Sequence, residues 1–161
     1  EITYGDWSSD VCSSDLGALA FLDLWMTTRT SVTSPWQPPI NLGTTVNSAY
    51  GDTAPQLSSD GLLLYFISDR PRPRRPSDTF DVFVARRNSP SEPFGAPIAV
   101  TAHLTDYWGF LDPSVSADGS TLFVATRGRL SDHDISYPHD LWQIPLLRPP
   151  HLSISLIKTA P

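Results

Sequence analysis

Three short segments recur in this chain, in constant order and 58 or 59 positions apart. Residues 52–68 read DTAPQLSSDGLLLYFIS and residues 110–126 read FLDPSVSADGSTLFVAT. Pro55, Ser58, Asp60, Gly61 and Leu64 therefore return as Pro113, Ser116, Asp118, Gly119 and Leu122. The segment WQPPINLG at 36–43 returns as FGAPIAVT at 94–101. A third occurs three times, as FLDLWMTTR at 21–29, TFDVFVARR at 79–87 and PHDLWQIPL at 138–146, with Asp23, Asp81 and Asp140 in step. A repeat of this length is one supersecondary unit, and such units bury their apolar faces only against neighbours.

Each unit reads as four strands. The first, Ala54 to Ser58, ends at Asp60-Gly61, a pair that supplies positive φ angles for a tight hairpin and turns the second strand straight back. The second, Leu62 to Ser68, is apolar on both faces, as a strand covered on both sides must be. Phe80 to Arg86 is the third. The fourth, around Pro93 to Val100, contains Pro97 and belongs at a sheet edge, where a missing N–H costs nothing. The 16 prolines, spread over several segments, exclude long helices. The expected fold is all-β: a fragment of a β-propeller, about two and a half four-stranded antiparallel blades, from an architecture that closes with 4–8 blades. On this reading 17–50 is the second half of a blade, 51–101 a complete blade and 102–147 most of a further one. Residues 148–161 form a tail, in which Leu152, Ile154 and Leu156 alternate as an outer strand would. Alone, such a fragment leaves two blade faces exposed and is expected to be marginally stable or aggregation-prone.

The pattern Pro-x-(Leu/Val)-Ser-x-Asp-Gly, an apolar strand, a loop, Asp-(Leu/Val)-(Trp/Phe) and then aromatic-x-x-Pro-Ile resembles the TolB-type, WD-repeat-like β-propeller repeats. The resemblance rests on Pro55–Gly61, Asp81–Phe83 and Trp36–Ile40, with their copies Pro113–Gly119, Asp140–Trp142 and Phe94–Ile98. It covers about residues 20–146, with Asp23–Trp25 as a further partial copy. The chain departs from the family in the loop after strand two, where arginine and proline stand in place of glycines. The resemblance implies a binding or scaffold protein without a cofactor, exported from a bacterial cell to the periplasm or beyond. It would take a protein or small ligand on a propeller face, beside missing blades of its own parent chain. The competing reading is the propeller portion of a hydrolase, either the gating domain of a serine peptidase or a glycoside hydrolase. Residues 1–16 resemble a translated sequencing-adaptor string, so this segment, with Cys12, is expected to lie outside the native protein or to be disordered.

A formal charge of -6 argues against a nucleic-acid surface, which needs an excess of Lys and Arg. No apolar run approaches the roughly 20 residues of a membrane span. The sequence lacks a G-x-S-x-G elbow, an H-E-x-x-H helix, a phosphate-cradling glycine loop and a dinucleotide fingerprint. What chemistry it offers is thin. His133, Asp134 and His139 are metal-type ligands in one loop beside Asp140, but Asp23 and Asp81 have no such companions, which favours a solvated loop. Asp60 and Asp118 suit the turn, and Asp81 and Asp140 suit the start of strand three, where a carboxylate accepts hydrogen bonds from loop backbone. Arg72 and Arg74, in the stiff stretch Arg70-Pro-Arg-Pro-Arg-Arg-Pro76, are candidates for an acidic or phosphate-bearing partner. Tyr107 and Trp108 are candidates for an exposed stacking platform, including one for sugars.

Overall fold

The computed structural model describes residues 22–72, 79–102, 104, 107–129, 139–146 and 157–158. Among these the protein is all-β, without a helix, and its strands form three antiparallel sheets. The first sheet pairs β1 (Trp25–Met26) with β2 (Ile40–Asn41). The second has the order β3 (Asp52–Leu57), β4 (Leu63–Ser68), β5 (Asp81–Arg86), β6 (Ile98–Ala99). The third repeats that meander with β7 (Tyr107–Val115), β8 (Thr121–Arg129), β9 (His139–Pro145) and β10 (Ile157–Lys158). The outer strand β6 is only two residues long, and a short edge limits unwanted pairing. In the tail, Ile157–Lys158 pair with β9, while Leu152, Ile154 and Leu156 lie outside the described residues.

The repeat in sequence is a repeat in backbone detail. In both large sheets the first hairpin is closed by the same set of bonds. Gly61 N–H donates to Ser58 O at 2.8 Å, and Gly119 N–H donates to Ser116 O at 2.8 Å. The turn is wider than the Asp-Gly pair predicts. Strand pairing closes at Ser58 N–H to Leu63 O, and only the glycines, both at φ 69°, enter the left-handed region. Asp60 and Asp118 instead receive hydrogen bonds, from Ser58 Oγ and Ser116 Oγ at 2.6 Å each. They also accept from the Leu62 and Ser120 N–H groups, at 3.0 Å each.

A second shared device is the bulge in the first strand. Ala54 and Pro55 together oppose Phe66, while Asp112 and Pro113 oppose Val124, where the strand registers shift. Ala54 (φ 49°) and Asp112 (φ 47°) are the positive-φ residues other than glycine among those described. A bulge accommodates a proline that cannot donate to the ladder and bends the strand locally. The sequence repeat at Pro55 and Pro113 therefore marks a bend that straight-strand reasoning missed.

The alternating residues of β4 fall into two separate cores. Leu64 and Phe66 join Leu24, Val46, Phe83, Ala85 and Phe94 between the first and second sheets. Tyr65, Ile67 and Val82 join Phe110, Leu122, Val124, Trp142 and Ile144 between the second and third. The second sheet is thus covered on its leading face by the sheet before it and on its trailing face by the sheet after it. Phe66 and Phe83 stack with centroids 5.8 Å apart, and burying each such ring contributes roughly 1.5–3 kcal/mol.

Successive sheets are also tied by main-chain bonds at repeat-equivalent places. Asp52 N–H donates to Leu22 O, and Phe110 N–H donates to Phe80 O, each at 2.9 Å. The residue before each donor is glycine. A Cβ on Gly109 would lie 3.1 Å from Phe80 N, so a side chain there would force the strands apart. Ser59 Oγ donates to Ala117 O at 2.9 Å, linking one turn to the same position of the next.

Candidate functional site

Among the described residues, both side-chain ion pairs lie just beyond the end of β4. Ser68 ends β4, and the chain then runs through Arg70 and Arg72, flanked by the starts of β3 and β5. Asp52 opens β3 and Asp81 opens β5, so two carboxylates face the arginine segment. Arg70 Nη2 contacts Asp52 Oδ1 at 2.5 Å and donates to Val46 O at 2.9 Å. Its Nε donates to Ser68 Oγ at 3.0 Å, and its guanidinium lies over the Phe83 ring, 4.7 Å from the centroid. Asp52 also accepts from the Ser48 N–H and hydroxyl, at 2.6 and 2.9 Å.

Arg72 pairs with Asp81 through Nη2 and donates from Nε to the same carboxylate at 2.7 Å. Thr101 Oγ donates to the other Asp81 oxygen at 2.7 Å, while accepting from Val82 N–H at 3.1 Å. Asp81 thus takes bonds from a guanidinium and a hydroxyl. Asp23, at the equivalent place, accepts from the Asn41 side chain at 2.9 Å. Nearby, Asn47 copies the Thr101 role with both amide atoms, pairing Leu24 N–H and Leu24 O. Both Asp–Arg pairs are largely withdrawn from water, so each partner is committed to holding the other.

A repeated arginine device closes the other end of the sheets. Arg29 lies over Trp36 at 4.5 Å from the ring centroid, and Arg87 lies over Phe94 at 4.4 Å. Both members of each pair recur 58 positions apart. Arg87 is the more buried and donates from Nε to Gly61 O at 2.7 Å, tying the first hairpin to the strand-three end. This signal was present in the repeated Arg at 29 and 87, and sequence reasoning passed over it. The same is true of Gly51 and Gly109.

Electrostatically, both turn carboxylates are held below the ordinary carboxylate range. Hydrogen bonds from Ser116, Ser120 N–H and the Ser120 hydroxyl hold the exposed Asp118 at about 2. Ser58 and Leu62 N–H lower Asp60 in the same way. Burial, with the Asp60 charge as a smaller contribution, pushes the Tyr65 phenol up to about 12. These shifts come from turn closure and core burial.

Of the binding candidates, Arg72 is brought onto Asp81, and its side chain is 12% exposed. Arg74, His133 and Asp134 lie outside the described residues. Tyr107 and Trp108 open β7, with Tyr107 in register with Arg129, and His139 opens β9 in register with Arg127. Among the described residues no group of three or more His, Cys, Asp or Glu could hold a metal ion. Nor is any helix among them long and apolar enough to cross a membrane. No protein-family model matches this chain, and no curated protein matches it.

Proposed function

We propose that this chain is part of a β-propeller of the TolB-like kind, acting outside the bacterial cytoplasm as a non-enzymatic binding or scaffold protein. The observation that carries this reading is the serial stacking of the three sheets. Each shares a core with the next, joined at repeat-equivalent positions by the bonds of Asp52 to Leu22 and Phe110 to Phe80. Four-strand meanders with a bulged first strand, repeated at a period of about 58 residues, support stacked blades. Of the described acids that recur from unit to unit, Asp60 and Asp118 hold turns, Asp23 takes an amide bond and Asp81 an ion pair, which are framework roles. A scaffold built this way presents loops from successive units at a common end, where a protein or small ligand is held by several at once.

The test is to incubate the folded chain with fluorogenic peptide, ester and glycoside panels and, in parallel, to screen protein and small-molecule binding by calorimetry. Saturable binding without turnover is the expected result. Turnover that follows the protein through purification and vanishes on a single substitution would overturn the non-enzymatic assignment.

A further inference from the structure

The two junctions between successive sheets use equivalent positions with different chemistry. Where the second sheet meets the third, Val84 and Leu146 both pack against the shared core. Met26 stands 58 positions before Val84, and Arg87 stands 59 before Leu146. The first junction therefore has a thioether and a guanidinium where the second has two hydrocarbon side chains. They meet: Arg87 Nη1 donates to Met26 Sδ at 3.9 Å, from the second sheet to the first. A thioether is a weak acceptor, so as it stands this bond contributes little.

Arg87 is held in place without Met26. It is 3% exposed, its Nε donates to Gly61 O at 2.7 Å, and its guanidinium lies 4.4 Å from the Phe94 centroid. These contacts fix where Nη1 lies. Met26, the single methionine of the chain, packs against the core from its margin. It is half-buried and pairs in register with Ile40, which is 65% exposed. A small solute can approach a residue placed there.

We propose that Met26 is an oxidation site whose sulfoxide is captured by Arg87. The oxidant is hydrogen peroxide. A sulfur lone pair attacks one peroxide oxygen, the O–O bond breaks, an S–O bond forms, and the other oxygen leaves as water. Sulfur loses two electrons and the peroxide gains them. An oxygen on the guanidinium side of Sδ falls within ordinary hydrogen-bond distance of Nη1, about 3 Å. A sulfoxide buried in an apolar core disrupts it, because a polar group without a partner is costly to desolvate. Here a charged donor is already in position, and hydrogen bonds to charged groups are the stronger kind. The oxidised chain thus keeps its first junction, whereas the same sulfoxide opposite a leucine would loosen it. This depends on the first and second sheets sharing a core, whatever the propeller binds.

The experiment is peroxide treatment of the folded full chain in a Cys12→Ser background, with peptide mass mapping, then thermal unfolding of oxidised and untreated protein. Met26 is expected to take up one oxygen in the folded chain and to leave the unfolding midpoint unchanged or raised. In Arg87→Leu, which installs the residue of the third sheet, oxidation should lower the midpoint by about 3 °C or more. That loss should vanish when Met26→Leu is added. Equal losses with and without Arg87 overturn the proposal, as does a loss that survives Met26→Leu. So does a Met26 that resists, in the folded chain, peroxide that oxidises it in urea. Should Arg87→Leu fail to fold, nitrogen-15 NMR of the Arg87 guanidinium decides the same question. A shifted, more slowly exchanging Nη resonance on oxidation supports capture, and an unchanged one overturns it.

Discussion

The units at 51–101 and 107–146 share a skeleton and differ in their wiring. Both have the Ser-x-Asp-Gly turn, the bulge before proline and the glycine that admits the preceding sheet. Yet the buried Asp52 of one is Phe110 in the other, and Arg70 is matched by Gly128. Ser68 and Thr126 occupy equivalent places, and each offers a hydroxyl as acceptor. Ser68 receives Arg70 Nε at 3.0 Å, whereas Thr126 receives Trp142 Nε1 at 3.1 Å. The comparison teaches that turns and bulges are held by local backbone demands. The middle of the unit needs only that each buried polar group find a partner, and an ion pair or an aromatic ring can fill the same volume.

The largest effect should come from orphaning a charge in the ion-paired unit. Asp81→Ala leaves Arg72 and Thr101 without their shared acceptor, and loses about 3–5 kcal/mol in urea unfolding. Asp52→Ala acts similarly through Arg70. Converting that unit to the pattern of its neighbour, with Asp52→Phe and Arg70→Gly together, should be milder than Asp52→Ala alone. If the double variant is worse, the two wirings are not interchangeable.

Next comes the approach between sheets. Gly109→Ala pushes a methyl against Phe80 backbone and should cost about 1–3 kcal/mol. Gly51→Ala, whose Cβ would meet side-chain atoms of Asp69 and Leu22 at 3.4 Å and beyond, should cost less. Equal losses in thermal unfolding would show the two junctions to be equally tight. At the turns, Gly119→Ala meets open space but keeps φ 69°, so only backbone strain remains, about 1 kcal/mol. Gly119→Asn should recover most of that, since Asn tolerates this region.

The smallest effect is titration of the turns. Asp118 is depressed in the folded state, so its contribution is complete above the ordinary value of 3.8 and disappears as the pH falls through about 2. Carbon-detected NMR should place its midpoint there, and Ser116→Ala should move it back toward 3.8 by removing the first of its donors. A midpoint that ignores Ser116→Ala would mean that the turn bonds are not formed in solution.

Much of the fold was legible because the signals were local or periodic. Leu62 to Ile67 announced a strand covered on both sides, and the structure divides Leu63 to Ile67 between two cores. Ser58, Asp60 and Gly61 announced a hairpin, although its width was misjudged, since Asp60 accepts hydrogen bonds and does not adopt positive φ. The ion-paired segment was less legible. Arg72 reads as exposed in a proline-rich basic stretch, and only the placement of β5 beside the end of β4 brings Asp81 to it.

The sequence by itself determined the unit: its length, its four strands, its turn chemistry and the apolar character of both faces. These depend on residue type and spacing along one stretch of chain, where backbone sterics and side-chain alternation act over a few bonds. Only the tertiary structure decided which face meets which neighbour and which carboxylate receives which arginine. Those outcomes depend on groups from 9 residues apart, as Arg72 and Asp81 are, to several tens arriving at one place, and the free energy of burial depends on what stands opposite, a quantity no single segment contains.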